Sequence, residues 1–199
     1  MTIDVRALRR LCVFCGSYAG TRSVYRDTAE RVGRHLANAG ITMVYGGGKI
    51  GLMGAAADAA LIHGGSVIGV IPRRLADREV AHDGLTELHV VSSMHERKML
   101  MAELSDAFIA LPGGYGTLEE FWEAVTWTQL GIHDKPCGLL NVEGFFDPML
   151  AQIDRAVTDG FITAENRALV IADDEVERLL DGLRRVRLPG PHVFAPPAP

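Results

Sequence analysis

The chain has 199 residues, of which 48% are hydrophobic and 23% charged, and its formal net charge is −5. That length and balance suit one well-buried domain, not two. The acidic charge and the lack of a long basic block argue against gripping nucleic-acid backbone, while a local nest of N–H groups can still bind a small anion.

Three cysteines do not suggest a disulfide framework. Cys12 and Cys15 form a C-x-x-C within the apolar run 11–15. Residues three apart on a strand face opposite sides, so core packing is favoured over redox or zinc chemistry. Residues 1–6 lack the apolar region of a signal peptide, and no segment approaches the roughly 20 apolar residues of a membrane span. The expectation is a cytoplasmic protein with no membrane or nucleic-acid partner.

In chain order, a strand over 11–15 ends at Cys15-Gly16-Ser17. Tyr25, Ala29, Val32, Leu36 and Ala39 then follow a 4, 3, 4, 3 spacing, the stripe of an amphipathic helix stopped by Gly40. A strand over 41–45 runs into Gly46-Gly47-Gly48, and a small-residue helix over 52–63 follows. A third strand, 67–71, is stopped by Pro72, with a loop or short helix over 72–86. A strand over 88–91, a helix over 93–104, a strand over 107–111 and a helix over 118–130 come next. The remaining elements are strand 137–141, helix 147–158 ended by Gly160, strand 168–172 and helix 175–186.

Seven short apolar strands alternating with helices predict an α/β fold, Rossmann-like and doubly wound. Its sheet is mainly parallel and seven-stranded, with helices on both faces. Residues 1–187 are read as one nucleotide-binding domain. Residues 188–199, which hold five of the nine prolines, are read as a disordered tail. Ligands of such sheets bind beyond the carboxyl ends of the strands, where four strand-to-helix turns converge: Gly16-Ser17, 46–51, 93–98 and 112–120.

Gly46 to Gly51 formally satisfies G-x-G-x-x-G. The acid that would hold a dinucleotide ribose after the next strand is missing, since Val70-Ile71-Pro72-Arg73 stands there. A P-loop is excluded because Ile50 replaces the magnesium-binding hydroxyl. The turn reads instead as one that lets backbone approach a nucleotide. Arg97 lies one turn after Met94 and one before Met101, so a guanidinium shares an otherwise apolar helix face and could clamp phosphate or ribose; a solvated helix start is the alternative. His95 reads as a surface residue.

Around 112–117, glycines between strand and helix allow positive φ and close ligand approach, and the helix start offers unpartnered N–H groups to an anion. Glu120 has two readings. Thr117-x-x-Glu120 is a capping box, in which the glutamate satisfies the Thr117 N–H; alternatively it is the acid beside a phosphate cradle. Phe121, Trp122 and Trp127 read as core or subunit-contact residues.

Pro112-Gly113-Gly114-Tyr115-Gly116-Thr117-Leu118-Glu119-Glu120 reads as P-G-G-x-G-T-x-x-E, with Met94-His95-Glu96-Arg97-Lys98 upstream. Together with Cys15-Gly16-Ser17, Tyr45 to Gly54 and Gly131-x-His133-Asp134-Lys135-Pro136, these motifs resemble the LOG (LONELY GUY) family of cytokinin riboside 5′-monophosphate phosphoribohydrolases over about residues 10–180. The resemblance implies hydrolysis of the N-glycosidic bond of N6-substituted adenosine 5′-monophosphates, and of AMP more slowly, to free base and ribose 5-phosphate, with no cofactor or metal. By position, Arg97 and Glu120 would be the catalytic pair. Gly113, Gly114, Gly116 and Thr117 would hold the 5′-phosphate with Lys98 beside them, Ser17 and Gly47 would lie near the nucleotide, and Met94 near the base. It also implies a homodimer with shared sites.

Members of the family have been labelled lysine decarboxylases, but no lysine here stands in a pattern for a pyridoxal Schiff base. Ser93 departs from the acid that relatives often carry before the Met94 position. The alternative is a non-catalytic nucleotide or molybdenum-cofactor carrier on the same fold, and a dehydrogenase ranks third.

Overall fold

A computed structural model describes residues 5–77 and 81–190. Strands β1 (Arg10–Phe14), β2 (Thr42–Tyr45), β3 (Val67–Pro72), β4 (Glu87–Val91), β5 (Ala107–Ala110), β6 (Cys137–Leu140) and β7 (Val170–Asp173) form a single sheet. Its order is β4-β3-β2-β1-β5-β6-β7, and every pairing is parallel. Helices α1 (Ser23–Asn38), α2 (Gly51–Ile62), α3 (Arg73–Leu75), α4 (Met94–Glu103), α5 (Tyr115–Gln129), α6 (Asp147–Thr158), α7 (Ala164–Arg167) and α8 (Val176–Arg185) connect the strands.

Burial on both faces explains the continuous apolar runs: every residue of β3, β5 and β6 is buried. The two-residue period of a strand divides the core in two. Leu11, Val13 and Tyr45 pack with α1, α2 and α8 on one face. Cys12, Phe14 and Val44 pack with α4, α5 and α6 on the other. Cys12 and Cys15 accordingly lie in different cores, each buried with a free thiol.

Of the element boundaries that shift from the sequence reading, three stand out. Pro72 is the last residue of β3 and pairs in register with Val91, so it closes the strand from inside. The 168–172 strand begins only at Val170, because Thr163 caps α7 by accepting the Asn166 N–H at 3.1 Å and the chain is helical to Arg167. Helix α5 starts three residues early, which matters for the site. The expected tail falls mostly outside the described residues. Its first residue, Leu188, packs against the α4–α6 core.

Because β2 and β5 flank β1, the chain reverses direction across the sheet at β1, and the crevice of such a fold opens there. Hydrogen bonds hold the edges of this crevice. Gly16 N–H donates to Pro112 O at 3.1 Å, and Leu52 N–H donates to Gly16 O at 3.0 Å, so the turns after β1 and β5 and the start of α2 move as one.

Helices α1 and α2 approach closely through small residues: a Cβ on Gly33 would stand 2.1 Å from the Ala56 carbonyl oxygen. In an isolated helix Gly→Ala stabilises by about 0.5–1 kcal/mol. Here Gly33→Ala is expected to destabilise, since over-packing costs about 1–3 kcal/mol. A Tm lower by roughly 2–12 °C in a thermal melt follows for a chain of this size. A Tm at or above the parent value would contradict the close packing.

Candidate active site

Helix α4 begins where Ser93, its N-cap, accepts the Glu96 N–H at 3.1 Å through its hydroxyl. The Glu96 carboxylate in turn accepts the Ser92 N–H at 2.8 Å. With the first turn fixed in this way, Arg97 projects toward the sheet. Its Nε–H donates to Val70 O at 3.2 Å, and Nη1 lies 3.8 Å from Met94 Sδ and 3.0 Å from Glu120 Oε1. The Arg97 and Glu120 side chains are only 10% and 9% exposed.

The guanidinium has room because of a glycine. A Cβ on Gly46 would stand 1.9 Å from Arg97 Nη2. The neighbouring Gly47 has φ +74°, and a Cβ there would stand 3.1 Å from Ile71 Cβ and 3.4 Å from Leu88 Cδ1. The triple glycine thus serves two ends: one residue makes space for Arg97, and the next supplies a left-handed turn.

Helix α5 corrects the capping-box reading of Glu120. Its N-cap is Gly114, in an extended conformation, and the helix begins at Tyr115. Thr117 is therefore the third helical residue, and Glu120 falls in the second turn, where the Thr117 N–H is out of its reach. The Glu120 carboxylate faces Arg97 instead. Burial pushes its pKa above the ordinary carboxylate value, and the Arg97 charge opposes that rise. The approach of Gly113 is equally tight, since a Cβ there would sit 2.1 Å from Thr117 Oγ1 and 2.9 Å from Gly16 N.

These elements enclose a cavity of about 640 Å³, within the range of small-molecule sites. Ser17, Arg97, Gly113, Gly114, Gly116, Thr117 and Glu120 all line it. Gly46 and Gly48 line it where Gly47 does not, and Met94 and Lys98 also stand outside its lining. Met94 lies against Arg97, and Lys98 is held by Glu119 and, at 3.0 Å, by Glu123. Sequence reasoning missed Tyr25 and Phe145, which form part of the wall with ring centroids 5.9 Å apart. Phe145 follows a short 3-10 turn, Val142–Gly144, after β6, a segment that carries no motif. Exposed Tyr18 and Tyr115 border the mouth.

The arrangement joins two functions. The opening turn of α5 presents N–H groups without intrahelical partners, and its dipole favours an anion there. Nearby, a carboxylate beside a guanidinium offers negative charge to a developing cation or to a water molecule. Among the described residues no group of three His, Cys, Asp or Glu side chains is placed to hold a metal ion.

The family described as "possible lysine decarboxylase" matches residues 53–183. The cytokinin riboside 5′-monophosphate phosphoribohydrolase LOG of Oryza sativa subsp. japonica is 54% identical over 172 residues, covering 86% of this chain and 71% of that protein. The enzyme of the same description from Rhodococcoides fascians is 51% identical over 177 residues, covering 88% and 89%. Among solved structures, the molybdenum cofactor carrier protein of Chlamydomonas reinhardtii superposes with a TM-score of 0.66 over 87% of this chain and 94% of its own, at 22% identity, a likeness of fold alone. With half its residues shared along most of its length, the chain belongs to the cytokinin riboside 5′-monophosphate phosphoribohydrolase (LOG) family.

Proposed function

We propose that this protein hydrolyses the N-glycosidic bond of N6-substituted adenosine 5′-monophosphates, and of AMP, releasing free base and ribose 5-phosphate. The observation that carries the reading is the buried Arg97–Glu120 pair, which lies on the same cavity as the opening turn of α5. Relatives about half identical to this chain bear the name of that activity.

The chemistry follows from the placement. As the bond from C1′ to the purine breaks, positive charge builds on the ribose, and the Glu120 carboxylate stabilises it while orienting the attacking water. The C1′–N bond breaks with its electron pair leaving on the purine, the water oxygen bonds to C1′, and of the two water protons one stays on the new C1′ hydroxyl while the other balances the proton taken up by the departing base. Arg97 holds Glu120 ionised against the burial that favours its protonated form. Gly113, Gly114, Gly116 and Thr117 take the 5′-phosphate, whose binding energy orients C1′ over the carboxylate. Ser17 lies along the nucleotide, while Gly47 and Met94 act from behind, through the glycine turn and the contact with Arg97. Ile50, Met53 and Phe145 give the cavity apolar wall suited to a substituted purine.

One domain, 1–187, carries this function. The protein acts as a homodimer with residues of both copies at each site, a reading supported by exposed Leu88, Val90, Met94 and Met99 on β4 and α4. The cytoplasm is the compartment, since three free thiols suit a reducing medium.

Purified protein is expected to release base from N6-substituted AMP about 10–100-fold more efficiently than from the matching nucleoside, the value of charge-assisted phosphate contacts. Glu120→Gln is expected to lower kcat by about 10²–10³-fold, as loss of an electrostatic stabiliser does; unchanged turnover would sink the mechanism. Gly46→Ala pushes the guanidinium aside and, since a shift of about 1 Å can cost about 10²-fold, should lower kcat by that order with the melting curve retained. A fully active Gly46→Ala would show that Arg97 does not act from its observed position. Sedimentation equilibrium should return twice the chain mass, and a monomer active at assay concentration would remove the shared site.

A further inference from the structure

Helix α5 carries three carboxylates within two turns, Glu119, Glu120 and Glu123. Glu119 and Glu123 are four residues apart, a spacing at which like charges repel on a helix. Between them sits a cation from another element. Lys98 of α4 donates to both, at 3.0 Å to Glu123, and its side chain is only 11% exposed. Lys98, Glu120 and Glu123 also border one small void of about 10 Å³ with Phe14, Phe108 and Trp127. The ammonium therefore stands behind Glu120 on its apolar side, outside the lining of the large cavity.

We propose that Lys98 is a positioning residue for the hydrolysis: clamped between Glu119 and Glu123, it ties α4 to α5 and cancels the two charges that flank Glu120. It thereby keeps Glu120 ionised and opposite Arg97. The role rests on the reading of Glu120 as the carboxylate that acts at C1′, and it replaces the phosphate contact expected of Lys98 from sequence.

The groups facing Glu120 make the balance explicit. From α4 come Arg97 and Lys98, which favour its ionised form; from α5 come Glu119 and Glu123, which oppose it. From β1 comes the Cys12 thiol and from the turn after it the Cys15 thiol, both held neutral because burial raises their pKa. Burial is the largest influence and already favours the protonated acid, so two uncompensated carboxylates would push it further that way. Lys98 itself is well suited to stay charged: desolvation works against it, but its two carboxylate partners raise its pKa above the ordinary lysine value.

The sign of the test follows. Removing the cation raises the Glu120 pKa, so the acidic limb of kcat against pH moves to higher pH. Removing the two flanking carboxylates moves it lower. Comparing variants on one N6-substituted AMP cancels the titration of the substrate phosphate, whose second pKa is about 6. Lys98→Met is expected to shift the limb up by about one pH unit, with KM nearly unchanged. Adding Glu119→Gln and Glu123→Gln to it should return the limb to the parent position.

The Glu119→Gln, Glu123→Gln pair, with Lys98 kept, should shift the limb down and serves as the test if Lys98→Met does not fold. An unmoved limb in these variants, or a raised KM with kcat and the limb unchanged in Lys98→Met, would overturn the role, the second result returning Lys98 to the phosphate. An inactive Glu120→Gln beside an unmoved limb fails this inference alone. An active Glu120→Gln removes the reading beneath it as well.

Discussion

The structure around the crevice depends on one buried ion pair, Arg97 with Glu120 at 3.0 Å. Two charges removed from water cost several kcal/mol each before their attraction repays it, and such pairs are weak devices for stability. Apolar residues of similar volume would serve the fold as well. The pair makes sense as a functional commitment: its two members come from different helices, α4 and α5, and each element between them is shaped to keep them opposed. Ser93 fixes the start of α4, Gly46 leaves space for the guanidinium, Val70 O accepts from it, and Gly114 starts α5 early enough to bring Glu120 round.

The sheet supplies the rigid reference for this pair. β1 is the point of reversal, and the turns after β1, β2, β4 and β5 all open on its carboxyl edge. Hydrogen bonds from Gly16 to Pro112 and from Leu52 to Gly16 lock three of those segments together. The anion-binding helix start and the carboxylate are therefore separated by a fixed distance along α5, so that binding a phosphate at one end orients the bond to be broken at the other.

Much of this was legible beforehand, for physical reasons. Strands buried on both faces can only be apolar runs, and β3, β5 and β6 read that way without ambiguity. Arg97 stood out because Met94 and Met101 share its helix spacing, and the structure buries Arg97 and Met101 together. Glu120 was harder. Tyr115 and Gly116 read as loop because glycine disfavours a helix interior, which moved the apparent start to Leu118, made Thr117 the apparent cap and created a capping box that the fold does not form. The helix tolerates Gly116 because it sits in the first turn, where few backbone bonds depend on it.

What stayed hidden involves partners distant in sequence. Gly46 is defined by the Nη2 of a residue about fifty positions later, and Lys98 by two glutamates about twenty positions later on α5. Neither pairing leaves a local pattern. A co-crystal structure of the Glu120→Gln variant with intact N6-substituted AMP addresses the central claim most directly. The phosphate is expected on the N–H groups that open α5, with C1′ in van der Waals reach of residue 120 beside Arg97. A phosphate seated elsewhere, with C1′ remote from residue 120, would contradict the account.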